Sequence, residues 1–113
     1  MPVAAKSSRR HPNEVDCKRI EKMLCGRARY KYVNPFVVQE FSAYVIRSPC
    51  CSRTVDPQGG DIDIARIEYL PDGLWVLFKR DDAVQRWHTH SRHRNLNALM
   101  AHLVWDPGRE FWR

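Results

Sequence analysis

Residues 61–113 read DIDIARIEYLPDGLWVLFKRDDAVQRWHTHSRHRNLNALMAHLVWDPGREFWR, and this stretch decides the fold. Its center is Leu70-Pro71-Asp72-Gly73, in which proline presets φ for the second position of a turn and glycine supplies φ > 0 at the end. The apolar and β-branched runs on either side, Ile62–Leu70 and Leu74–Lys79, are therefore predicted to pair antiparallel as a hairpin. Alternation slips at Ile64-Ala65, which predicts a bulge. Asp81-Asp82 reads as the next reversal, Val84–His88 as a third strand, and Ser91–Arg94 as loop. Asn95 is placed to cap a helix on which Leu96, Leu99, Met100, Leu103 and Val104 form one apolar stripe, and Asp106-Pro107-Gly108 stops it.

Upstream, Asn13 reads as an N-cap with Glu14 and Asp16 in the first turn, where the helix dipole favors acids. Cys17, Ile20 and Leu24 then share one helical face, and Gly26 ends the helix. Arg27–Asn34 is a basic and aromatic connector. Phe36–Arg47 reads as one long strand with imperfect alternation, and Ser48–Gly60 as a loop. The expected class is α+β: an N-terminal helix, a four-stranded antiparallel meander, and a C-terminal helix packed on the sheet. Residues 1–12 are expected to be a disordered basic tail and residues 13–113 a single domain.

The chain has 113 residues, enough for one core that buries roughly 65% of the unfolded surface. No apolar run approaches the roughly 20 residues of a membrane span. The start, MPVAAKSSRRHP, has charge but no apolar segment of a secretory signal, so a cytoplasmic location and no membrane partner are expected.

Net charge is +6, and it is unevenly placed. Residues 1–35 hold nine Lys and Arg against three acids, whereas residues 36–113 hold ten of each. A polyanion would thus meet the N-terminal third. Lys18, Arg19, Lys22, Arg27, Arg29 and Lys31 could neutralize phosphates, and Tyr30 and Tyr32 could stack on unpaired bases. The plainer reading is a solvated helix face, and no helix-turn-helix, zinc-finger, KH or RNP pattern is present.

Other chemistry is weaker. His88 and His90 on a strand would share a face, with His93, His102 or a cysteine as a third metal ligand. Arg86, Arg92 and Arg94 flank them and disfavor a divalent ion, so exposed loop histidines and no metal are expected. Cys50-Cys51 lies in the Pro/Gly loop between Arg47 and Arg53, where a thiol could be activated. Neither that pair nor Cys17-x7-Cys25 has C-x2-C spacing, so reduced, incidental thiols are expected. Asp61, Asp63, Asp81 and Asp82 have no partner base, and no catalytic residue or cofactor is assigned. Trp75 and Trp87 are expected in the core, stacked across neighboring strands or packed under Trp105. Phe111 and Trp112 either fold back onto the sheet or form an aromatic surface for a partner.

Leu74-Trp75-Val76-Leu77-Phe78-Lys79-Arg80, then Arg86-Trp87-His88, then a Leu-rich helix ending at Asp106-Pro107 with Phe111-Trp112 beyond, resembles a family of small bacterial proteins. This is the domain-of-unknown-function family numbered three thousand and twenty-four. Arg19-Ile20-Glu21-Lys22-Met23-Leu24 is similar to its opening helix. The shared residues belong to core and turns, so the resemblance implies a shared fold and transfers no catalytic residue. The expected function is a non-catalytic binding module with a protein partner or a second copy of itself. The alternative is a weak, salt-sensitive nucleic-acid binder, and a thiol or metal site at 50–51 or 88–93 is the third reading.

Overall fold

The computed structural model describes residues 11–27, 34–49 and 60–112. Among these residues two helices and five strands follow in the order α1 (Glu14–Leu24), β1 (Phe36–Glu40), β2 (Ala43–Pro49), β3 (Asp61–Tyr69), β4 (Trp75–Asp81), β5 (Arg86–His93) and α2 (Leu96–Trp105). The strands form one antiparallel sheet in sequence order, β1-β2-β3-β4-β5. The α+β class agrees with expectation, and the strand count does not.

The fifth strand comes from Phe36–Arg47, which is a hairpin rather than one long strand. Glu40 pairs with Ala43, so the chain reverses at Phe41-Ser42. No glycine, proline, asparagine or aspartate marks this turn. Instead Phe41 itself takes φ 50° and stands 96% exposed. The imperfect alternation was the trace of this reversal.

The predicted hairpin is present, with Tyr69 opposite Trp75. Gly73 has φ 89° and donates its N–H to the Leu70 carbonyl at 2.9 Å, and Asp72 Oδ1 accepts the Leu74 N–H at 3.1 Å. The predicted bulge is also present: Ile46 pairs with Ala65 and Arg47 with Asp63, which leaves Ile64 as the extra residue. The third strand of the meander starts and ends later than expected. Its reversal falls at 82–85, with Gln85 at φ 54°, and the strand runs through His93 over residues expected to be loop. It is an edge strand of mostly polar residues, and a second bulge at His90 breaks its alternation.

Both helices begin on the expected asparagines. Asn13 and Asn95 hold extended backbone, and each side-chain oxygen accepts the N–H three residues on at 2.8 Å. Cys17, Ile20 and Leu24 of α1, and Leu96, Leu99, Met100 and Leu103 of α2, pack on one face of the sheet. That face presents Tyr44, Ile46, Ala65, Ile67, Trp75 and Leu77. The opposite face carries ion pairs, Arg47 with Asp63 across β2 and β3 at 2.8 Å and Arg66 with Glu68 along β3 at 3.0 Å. Trp87 lies there under the Arg80 guanidinium, 4.9 Å from it, rather than beside Trp75 in the core. Trp105 is 69% exposed and covers neither.

Candidate functional site

An antiparallel meander places alternate connections at the same end. The β1–β2 turn, the β3–β4 turn and the start of α2 therefore meet at one end of the sheet. The start of α1 is tied there too, because Tyr44 Oη lies 2.7 Å from His11 Nδ1 and accepts the Asn13 backbone N–H at 3.0 Å. Between the start of α1, the β3–β4 turn and the start of α2 runs an open groove of about 1130 Å³, lined by Arg19, Tyr69, Leu74, Trp75, Arg94 and Leu96 among others.

The groove has an aromatic wall and a charged rim. The His11 ring lies 4.3 Å from Tyr69 and 5.3 Å from Trp75, and Tyr69 and Trp75 are 4.7 Å apart. His11 and Pro12 are thus packed, although the sequence reading gave them to the tail. Beneath the rim Asp16 is fully buried, accepting from Arg19 Nη1 at 2.8 Å and from Asn13 Nδ2 at 3.0 Å. A buried carboxylate is tolerated when paired and hydrogen-bonded in this way. Arg19 is held in place by that pair. Arg94, by contrast, forms no side-chain hydrogen bond or ion pair with the described residues.

A second constellation lies at the seam between β5 and α2. The His90 and His102 rings are 5.1 Å apart and the His93 and His102 rings 5.0 Å. Ser91 Oγ sits 2.8 Å from both His90 Nδ1 and His93 Nε2. Glu110 faces His90 Nε2 at 3.4 Å and Lys79 Nζ at 3.3 Å. A carboxylate only accepts, so neutral His90 carries its proton on Nε2 and takes the Ser91 hydroxyl proton at Nδ1. The Ser91 oxygen then accepts from His93 Nε2. The side chains form one continuous chain, Lys79–Glu110–His90–Ser91–His93, which ties the C-terminal turn to β4 and β5. Burial, with His102 and His90 nearby, holds the His93 imidazole below its ordinary pKa. The hydrogen bond from Lys79, with His90 beside it, holds the Glu110 carboxyl below its own. His88 is turned away toward Asp81, 3.5 Å off. Among the described residues no three His, Cys, Asp or Glu side chains converge as a metal site.

The residues proposed for nucleic acid are dispersed. Lys18 and Lys22 lie exposed on α1, and Arg19 turns to Asp16. Arg27 is only 5% exposed: it donates to the Leu24 carbonyl at 2.9 Å and lies over the Trp112 ring at 5.3 Å. It therefore belongs to the interior, a correction to its reading as a phosphate contact. Arg29 and Lys31, the tyrosines Tyr30 and Tyr32, and the Cys50-Cys51 pair lie outside the described residues.

Phe111 and Trp112 form no aromatic surface. Each is 1% exposed, because Asp106 turns the chain back. Asp106 has φ 38°, and its carboxylate accepts the backbone N–H groups of Glu110, Phe111 and Trp112 at 2.8, 3.1 and 2.9 Å. Trp112 Nε1 donates to the Leu103 carbonyl at 2.8 Å. The groove residues His11, Tyr69 and Arg94 went unassigned in the sequence. The available signal was topological: a meander brings the Pro-Asp-Gly turn and the Asn95 cap to one end.

The family model described as a domain of unknown function (DUF3024) matches residues 8–113, and the chain belongs to that family. No curated protein and no solved structure matches the chain.

Proposed function

We propose that this chain is a non-catalytic protein-binding module whose groove receives a short segment carrying an apolar side chain beside an acid. The observation that supports it most is the pairing of an aromatic and aliphatic wall (Tyr69, Leu74, Trp75, Leu96) with Arg94 at the rim, a cation that no described residue pairs. A concave surface with a mainly apolar wall and a few placed polar groups is the usual form of a binding site. The other charged groups of the groove are engaged internally, Asp16 with Arg19 above all, and so hold shape rather than act on a substrate. We propose a cytoplasmic location with it, in keeping with the thiols of Cys17 and Cys25, which form no disulfide. No helix among the described residues is long and apolar enough to cross a membrane.

The test is selection of short peptides from a displayed library on the intact protein. Enriched sequences should share an aromatic or large aliphatic residue beside Asp or Glu, and Arg94→Glu should remove their binding. Enrichment independent of Arg94, or affinity only for oligonucleotides through Lys18 and Lys22, would overturn the reading.

A further inference from the structure

We propose that the segment received by the groove is the β1–β2 turn of a second copy of this chain, so that Phe41 of each protomer enters the groove of the other. The inference rests on the binding-module reading above and names its partner.

Phe41 is costly where it stands. Its φ of 50° is a backbone region that bulky residues seldom adopt, and its phenyl ring is 96% exposed. A two-residue hairpin turn forms most readily from residues such as Asn-Gly, which this turn lacks. Strain and exposure at the same residue are expected where a side chain is presented to a partner. The ring has no route into its own groove, because β1 is an edge strand with β2 between it and β3.

The partner follows from where the two features lie. The Phe41 turn and the groove occupy the same end of one sheet. Two copies facing each other by that end, related by a two-fold axis, place each Phe41 against the other's groove and close into a pair. Charge agrees with this placement. Glu40, directly before Phe41, makes only a 4.0 Å approach to Arg66 in its own chain, and Arg94 has no partner among the described residues. Across the two-fold axis Glu40 faces Arg94 twice.

The experiment is sedimentation velocity of the full chain from low micromolar to near-millimolar concentration. A reversible dimer is expected. Phe41→Ser, Glu40→Arg and Arg94→Glu should each weaken association at least about tenfold, an acidic-basic contact or a buried ring being lost twice per pair. Combining Glu40→Arg with Arg94→Glu should restore it. All three substitutions are at exposed or partly exposed positions, and rescue by the double variant separates lost contact from lost fold. A wild-type chain that stays monomeric throughout overturns the self-pairing, while the peptide selection decides the groove separately. A dimer that Phe41→Ser leaves intact, or that the charge exchange does not rescue, also overturns it.

Discussion

The carboxylate of Asp106 accepts the backbone N–H of Trp112 at 2.9 Å, across six residues of chain. Its oxygens also take the N–H groups of Glu110 and Phe111, so one buried side chain folds the C-terminal turn onto the core. Asp106→Ala should cost about 1.5–3 kcal/mol, the range for hydrogen bonds to a charged group. Asp106→Asn keeps an acceptor oxygen and should cost less. Chemical denaturation checks this; equal stability of wild type and Asp106→Ala would show that Phe111 and Trp112 dock without the cap.

Arg27 should behave as a core residue. Arg27→Ala removes the bond to the Leu24 carbonyl and the stacking on Trp112, for a loss of about 1–3 kcal/mol. Any affinity for oligonucleotides should be unchanged by it, and should depend instead on Lys18 and Lys22. Parallel denaturation and binding titrations separate the two effects.

Acid should weaken the seam between β5 and α2. His93 sits among His90, His102 and Ser91, with Glu110 and Lys79 beyond, and its folded pKa lies below the ordinary 6.5. The unfolded chain therefore binds the proton more readily, so the stability present above pH 6.5 declines as pH falls through the folded value. Glu110, also lowered, adds a loss in the same direction below its ordinary 4.5. Thermal midpoints should drop between neutral pH and pH about 5, and His93→Gln should flatten that part of the profile. A midpoint that rises on acidification would contradict the assigned arrangement.

Phe41 sets stability against association. Asparagine and glycine tolerate φ near 50°, so Phe41→Asn or Phe41→Gly should raise monomer stability by about 0.5–1 kcal/mol. The same substitutions should abolish self-pairing. Denaturation midpoints at high dilution report the first effect and sedimentation the second.

What the sequence disclosed tracks how local the cause was. Leu70-Pro71-Asp72-Gly73, the two asparagine caps and the slip at Ile64 are written in a few consecutive residues, and all are present. The reversal at Phe41-Ser42 was hidden because its residues carry no turn preference, and the extent of β5 because an edge strand of histidines and arginines lacks an apolar period. Trp112 was left between folding back and facing a partner for a different reason. Its burial depends on Asp106 reaching three backbone groups, a contact that spacing does not reveal. The groove draws on three separate segments, 11–19, 69–75 and 94–96, and only the closed topology brings them together.

Whether the groove receives the Glu40-Phe41 turn of a second copy is read out by an amide and indole NMR titration. The probe is a cyclized peptide carrying Gln-Glu-Phe-Ser, the sequence of residues 39–42. Saturable shifts are expected at Tyr69, Leu74, Trp75 and Arg94, lost with Arg94→Glu, and none at Lys18 or Lys22. Saturating peptide that leaves those four residues unmoved would contradict that docking.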